Sequence, residues 1–155
     1  MISLNVATES KLWDKKIKKN LFFSSLIGFF PKKYRFVKKK VSLTILLSNN
    51  TNIKKLNKKF RNKNKPTDVL SFPSEKKLNI KKNPYLGDIV ISFEFMNKPK
   101  TLNNLEFKKK VTKTFIHGFL HLLGYDHIKS KDFKKMIKEE EKIFEIINAK
   151  IIKSV

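Results

Sequence analysis

The stretch HGFLHLLGYDH, residues 117–127, contains all three histidines of this 155-residue chain. Residues 116–123 are mainly apolar, and this composition predicts a helix. Side chains four residues apart on a helix lie one above the other on the same face. His117 and His121 are therefore expected to point in the same direction.

The residues after this helix predict a turn that brings the chain back to the same face. Gly124 follows the last apolar pair, where helices commonly end in a left-handed residue that glycine adopts at low cost. Such a turn can bring His127 to the other two histidines. Three imidazoles with an open fourth position form the ligand set of a catalytic zinc, whereas structural zinc sites usually include cysteine, which this chain lacks. The pattern predicts one catalytic Zn2+ ion.

The spacing of the histidines also resembles the long zincin motif, in which histidines occupy the first, fifth and eleventh positions and glycine the eighth. Zincin proteases carry a glutamate directly after the first histidine, and this glutamate acts as the general base. The present chain has Gly118 at that position. The motif therefore predicts a metal site without the base of a peptidase, which argues against a metalloprotease.

The charge balance is strongly basic. The chain has 36 Lys and Arg against 13 Asp and Glu, a formal net charge of +23. Such a field attracts polyanions, and a protein that neutralises phosphates gains affinity by releasing counterions. Nucleic acid is therefore the expected class of partner. Part of the excess is assigned to the residue bias of an A+T-rich genome, because the cations are mostly lysine and are accompanied by many Asn, Ile and Phe.

The length of the chain suits a single domain, residues 1–155, with one core. The lack of cysteine fits a reducing compartment, and we expect a cytoplasmic location. Residues 21–30, LFFSSLIGFF, follow a lysine-rich segment and imitate a signal sequence, but they start too far into the chain and are too short to span a bilayer. We interpret them as the buried end of a helix and expect no membrane partner.

Hydrophobic periodicity predicts an α+β fold. Alternating or apolar runs predict four strands, over residues 2–6, 41–47, 67–72 and 87–92. The second strand is largely apolar and is expected to be central. The third is expected at an edge of the sheet, because prolines bound it. Capping residues and helical spacing predict four helices. The first runs from Ser10 to about Phe30, and the second from residues 50–52 to the loop at 61–66. The third begins at Asn103 and carries the first two histidines, and the fourth begins at Ser130. Residues 93–100 are interpreted as a short helix broken by Pro99. The mixed Lys and Glu residues of the last helix are interpreted as a solvated face.

These elements predict a small mixed four-stranded sheet packed with about four to five helices, one of them a zincin-like metal helix. Three stretches, taken together, then resemble one known family. They are residues 56–61 with KPTDVLSFP at 65–73, LGDIVI at 86–91, and the histidine stretch at 117–127. The chain resembles the YbeY family of bacterial ribosomal RNA maturation endoribonucleases from about Val41 to the C terminus.

The resemblance implies a zinc-dependent endoribonuclease specific for single-stranded RNA. It implies action in the maturation of the 3′ end of small-subunit ribosomal RNA and in ribosome quality control. The implied partners are ribosomal RNA, the small ribosomal subunit and ribosome-assembly proteins. The implied zinc ligands are His117, His121 and His127, and His117 and Arg61 are the implied catalytic residues. Zinc could activate water or assist attack by the ribose 2′-hydroxyl, and the sequence does not choose between them.

Arg61 is also suited to bind the substrate, because its planar guanidinium binds two phosphate oxygens and stays charged. Lys63 and Lys65, in the loop that follows, are expected to bind the substrate with it. Lysine and asparagine stand in this loop where the family more usually has glycine.

Two aspartates are candidates for supporting the metal ligands. Asp126 is adjacent to His127 and either orients an imidazole or caps the turn after Gly124. Asp88, after Gly87, either supports the site or closes a turn. Tyr125 is assigned to packing.

A second hypothesis is a ribosome-associated RNA-binding factor with a structural metal and little nuclease activity. It stays open because the base of the zincin proteases is replaced by Gly118.

Overall fold

The alternating and apolar runs of the chain form the strands of one sheet. The computed structural model describes residues 1–154, and the side chains of residues 1–151. The four strands are β1 (Ile2–Thr8), β2 (Val41–Ser48), β3 (Val69–Pro73) and β4 (Tyr85–Ser92). Each predicted strand is present, with bounds that differ by a few residues.

The strand order is β1-β2-β4-β3, so β2 is internal and β3 lies at an edge, as predicted. β2 pairs in parallel with β1 and β4, whereas β3 pairs antiparallel with β4. The sheet is therefore mixed. Together with the helices, it confirms the α+β fold class.

The helices are α1 (Lys19–Phe29), α2 (Asn50–Arg61), α3 (Phe93–Met96), α4 (Asn104–Leu122) and α5 (Ser130–Ser154). Asn103 caps α4 as predicted, because its side-chain oxygen accepts a hydrogen bond from the backbone N–H of Glu106 at 2.9 Å. No helix in the described part of the chain is long and apolar enough to cross a membrane.

The prediction of a single helix from Ser10 to Phe30 is wrong, because the structure has two separate helices in this segment. A short 3-10 helix covers Lys11–Lys15, and α1 begins only at Lys19. The cause is Trp13, which is fully buried and donates its indole N–H to the carbonyl of Ser48 at 2.9 Å. This contact ties the short helix to the end of β2, so the chain must change direction before α1 can pack. Within residues 21–30, Phe23, Leu26, Ile27 and Phe30 are buried as expected, whereas Leu21 is exposed.

The sheet separates a large apolar layer from a small one. On one face, α1, α4 and α5 enclose the main core, in which the rings of Phe115 and Phe119 pack against Phe30. On the other face, α2 covers a small cluster made by Ile53, Leu70 and Val90. The helix that carries His117 and His121 is therefore held between the sheet and α5.

Candidate metal centre

The three histidines lie together at the C-terminal end of α4. His117 and His121 are one turn apart on the helix, and His127 comes from the turn that follows. One ligand atom from each residue lies within 4.8 Å of the other two. The structure thus brings together the three residues predicted as metal ligands, which is consistent with a zincin-like metal helix.

Local backbone geometry produces this turn. Gly124 has φ +97°, and its N–H donates to the carbonyl of His121 at 3.0 Å. A side chain is strained at such a φ, so glycine lets the chain reverse here. The carboxylate of Asp126 accepts hydrogen bonds from the backbone N–H groups of His127, at 2.6 Å, and Ile128, at 3.1 Å. Asp126 therefore caps the turn that presents His127.

Hydrogen bonds at Nδ1 set the tautomers of the His117 and His121 imidazoles. His121 donates its Nδ1–H to the carbonyl of Tyr125 at 3.0 Å, because a carbonyl can only accept. His117 donates its Nδ1–H to the carboxylate of Glu140. Each Nε2 is then left with a lone pair, and the two Nε2 atoms lie 3.1 Å apart. Two facing lone pairs repel unless a cation lies between them.

The donor set fits zinc. Zinc binds imidazole nitrogens at about 2.0–2.1 Å in a tetrahedral arrangement, which separates two such nitrogens by about 3.3 Å. The observed Nε2 separation of 3.1 Å is close to that value. Burial lowers the pKa of His121, and the neighbouring His117 and His127 lower it further. His121 is thereby kept neutral, which is the form that binds a metal.

Glu140 contacts the histidine cluster, and the sequence interpretation missed this contact. The acidic residues of α5 were expected to form a solvated face, but the Glu140 carboxylate bonds the first histidine of the cluster, His117. The His117 side chain is 32% exposed and the Glu140 side chain 26%, so the pair is partly shielded from solvent. A signal existed, because Glu140 is a lone carboxylate in an apolar stripe with Ile137 and Phe144.

Removing the charge of Glu140 is expected to weaken metal binding. Carboxylates that accept from a metal-bound histidine fix its orientation and raise its basicity, and their loss typically lowers metal affinity about 10- to 100-fold. We expect a loss of this size for Glu140→Gln, measured by competition with a chromogenic zinc chelator. Glu141→Gln is the matched control, because Glu141 is the exposed neighbour on the same helix, and it should bind zinc like the wild type. Equal affinity for all three proteins would contradict the supporting role.

Asp88 does not lie with the histidines. Its carboxylate accepts a hydrogen bond from the hydroxyl of Tyr85, whose pKa is raised by burial and by that bond. Consecutive side chains of a strand point to opposite faces. The next residue, Ile89, faces Gly118 of α4, so Asp88 projects from the α2 face. The structure therefore does not bring Asp88 to the site that it was predicted to support.

Arg61, Lys63 and Lys65 lie at the exposed C-terminal end of α2 and in the loop before β3. The loop is anchored by Asn57, whose side-chain amide donates to the carbonyl of Lys65 at 2.8 Å. α2 ends at Asn62, in a left-handed conformation with φ 56°. The three cations therefore flank the edge of the sheet, and α2 covers the face opposite α4.

Gly118, which stands where zincin proteases have their glutamate base, packs against the sheet. A Cβ on Gly118 would lie 2.9 Å from Cγ2 of Ile89 and 3.0 Å from Oγ of Ser71. The Ser71 hydroxyl also donates to the Gly118 carbonyl at 3.1 Å. Glycine thus lets α4 approach β3 and β4 closely. A glutamate in its place would point into the sheet.

Fold and site together define a metal-binding α+β protein with an open three-histidine centre, the arrangement that metal-dependent hydrolases use. The family model described as Endoribonuclease YbeY matches residues 5–148. The chain belongs to the YbeY family of endoribonucleases, enzymes that cut RNA.

Several relatives are similar over almost the whole chain. Endoribonuclease YbeY of Pelagibacter ubique (strain HTCC1062) is 70% identical over 152 residues, which cover 97% of this chain and 99% of that protein. Endoribonuclease YbeY of Bartonella bacilliformis is 35% identical over 152 residues, covering 97% and 96%. The solution structure of TM1509 from Thermotoga maritima is 25% identical with a TM-score of 0.60, covering 98% of this chain and 93% of that one.

Proposed function

We propose that this protein is a zinc-dependent endoribonuclease that cuts single-stranded RNA. Its proposed substrate is the 3′ region of small-subunit ribosomal RNA, and its proposed setting is ribosome maturation and quality control in the cytoplasm. The observation that carries the proposal is the pair of Nε2 lone pairs of His117 and His121, 3.1 Å apart and each oriented by a hydrogen bond at Nδ1. Family membership supplies RNA as the substrate.

In this proposal, the three histidines hold the metal. When bound, zinc supplies a nucleophilic water with a pKa of about 7 and polarises a phosphoryl oxygen. Glu140 and the carbonyl of Tyr125 hold the protons of two imidazoles at Nδ1, so that each Nε2 faces the ion. The exposed guanidinium of Arg61 binds a phosphate of the RNA through its two-pronged donor set.

Lys63 and Lys65 extend this phosphate-binding surface along the loop before β3. Both are exposed, and lysines that neutralise phosphates contribute affinity that falls as salt rises. The small ribosomal subunit and ribosome-assembly proteins are the proposed partners. The whole chain, residues 1–155, is proposed to act as one domain.

Removal of the metal is expected to stop RNA cleavage. The purified protein would be incubated with a labelled single-stranded RNA at near-physiological salt, with and without EDTA, and the products separated on a denaturing gel. Cleavage should fall to background with EDTA and return when zinc is added in excess. Duplex RNA of the same sequence should be cut far more slowly. Cleavage that continues unchanged in EDTA would contradict a metal-dependent nuclease.

The net charge of +23 favours a second candidate, a ribosome-associated RNA-binding factor whose metal is structural. This candidate predicts tight RNA binding without cleavage, even when zinc is present. It also predicts that loss of a metal ligand lowers stability and leaves RNA affinity nearly unchanged.

A further inference from the structure

Phe60 is an unusual phenylalanine in this protein. In the part of the chain whose side chains the structure describes, most phenylalanines are buried or partly buried, and only Phe60 and Phe133 count as exposed, at 58% and 47%. Phe60 lies in the last turn of α2, next to Arg61. The small cluster under α2 is filled by Ile53, so Phe60 is not needed to close it.

The Phe60 ring is held in place although it is exposed. It packs edge-to-face against Phe72 of β3, with the ring centroids 5.1 Å apart and the planes at 63°. Phe72 is partly buried and packs against the cluster under α2. The Nζ of Lys59 lies 5.3 Å from the centre of the Phe60 ring. A ring held in this way loses little conformational freedom when a flat ligand stacks on it.

Several exposed cations lie close to Phe60 in the chain. Lys59, Arg61, Lys63 and Lys65 are all exposed, and in the described part of the chain none of them forms an ion pair. An exposed aromatic ring beside unpaired cations is the arrangement that binds single-stranded RNA, because bases stack on the ring and phosphates contact the cations. The unpaired positive charge favours a polyanion over a protein partner.

Phe60 and the helix that carries the histidines are both linked to the edge strand β3. In β3, the hydroxyl of Ser71 bonds the carbonyl of Gly118, which is adjacent to His117 on α4. Phe72, the next residue, projects to the other face of the sheet and contacts Phe60. The aromatic pair and the histidine helix therefore contact opposite faces of the same edge strand.

We propose that Phe60, supported by Phe72 and flanked by Lys59 and Arg61, is a stacking platform for a base of single-stranded RNA at the β3 edge. The assignment rests on the proposed function in one respect, that RNA is the ligand. It adds a contact with a base, whereas Arg61 and the lysines contact phosphates. Because every base has a flat face, the platform is expected to accept any of the four.

The test measures RNA binding in EDTA, so that no cleavage occurs. Fluorescence anisotropy of a labelled single-stranded RNA of about 12 nucleotides would be compared for wild type, Phe60→Ala, Phe60→Trp and Leu21→Ala. Loss of one stacked base weakens binding about 5- to 100-fold, which is expected for Phe60→Ala. Phe60→Trp should bind at least as well as wild type, and RNA should quench the emission of its added indole. Leu21, exposed on α1 next to the opposite edge strand, is the matched control and should have no effect.

Equal affinity of wild type and Phe60→Ala would overturn the platform, and so would an indole in Phe60→Trp whose emission RNA leaves unchanged. Cleavage by the wild type with zinc is measured in parallel, so that the two proposals can fail separately. A protein that cuts RNA while Phe60→Ala binds normally keeps the nuclease and loses the platform. A protein that does not cut RNA while Phe60→Ala binds weakly keeps the platform and loses the nuclease.

Discussion

The His121→Ala variant is expected to lose RNA cleavage by more than about 100-fold and to bind zinc no longer. His121 is the central residue of the cluster, since its Nε2 lies 3.1 Å from that of His117 and its Nδ1 bonds the turn that carries His127. RNA affinity should change by less than about two-fold, because phosphate contacts by exposed cations supply most of it. Cleavage, zinc content by atomic absorption, and RNA binding in EDTA would be measured on the same preparations.

His121→Asn separates the loss of the ligand from damage to the turn. The asparagine amide can donate to the Tyr125 carbonyl in place of Nδ1, but it has no atom at the position of Nε2. This variant should fold like the wild type, shown by circular dichroism, and should be as inactive as His121→Ala. Cleavage at the wild-type rate by a folded variant would count decisively against the nuclease. Lower stability with RNA binding intact, in a protein that never cleaved, would favour a structural metal.

The Gly87→Ala variant is expected to lose about 3 kcal/mol or more of unfolding free energy. Gly87 has φ +137°, a backbone conformation that side chains rarely adopt. A Cβ at this position would also lie 2.2 Å from the carbonyl oxygen of Phe72 and 2.9 Å from Cδ2 of Leu122. The first contact is with backbone, so it can be relieved only by separating β3 from β4. Urea unfolding followed by circular dichroism would measure the loss.

Gly28→Ala is the matched control for the same chemical change. Gly28 is exposed within α1, and a Cβ there would meet nothing within 4 Å. Alanine favours a helix over glycine by about 0.5–1 kcal/mol, so this variant should be slightly more stable than the wild type. A stability for Gly87→Ala within error of the wild type would contradict the account of the β3–β4 pairing.

The histidine cluster could be predicted from the sequence because its geometry is local. Two histidines one helical turn apart share a face, and a glycine after the helix lets the chain reverse. Asp126 is also local, since it bonds the two backbone N–H groups that follow it. Pro66 and Pro73, which flank the predicted strand at 67–72, similarly indicated an edge strand, because proline has no N–H to donate to a neighbouring strand.

The helix prediction failed where a distant residue competes with local preference. The periodicity of residues 10–30 suits one helix, but the Trp13 side chain bonds Ser48, 35 residues along the chain, and interrupts it. The sequence left Asp88 either supporting the site or closing a turn, but it projects from the face of β4 opposite α4, where its carboxylate accepts a hydrogen bond from the hydroxyl of Tyr85. The Trp13–Ser48 contact leaves no signal in the spacing of nearby residues. The face to which Asp88 projects is known only once α4 is seen to pack on Ile89.

By itself the sequence determined the four strands, the clustering of the three histidines and the lack of a protease base, because each depends on residues close together in the chain. Only the tertiary structure decided that Glu140 supports His117, since these residues are 23 positions apart and meet where α5 packs on α4. It also decided that Gly118 is a packing contact and that Phe60 stays exposed beside Phe72. These features depend on how helices dock on a sheet, and docking is set by the summed packing of the whole core.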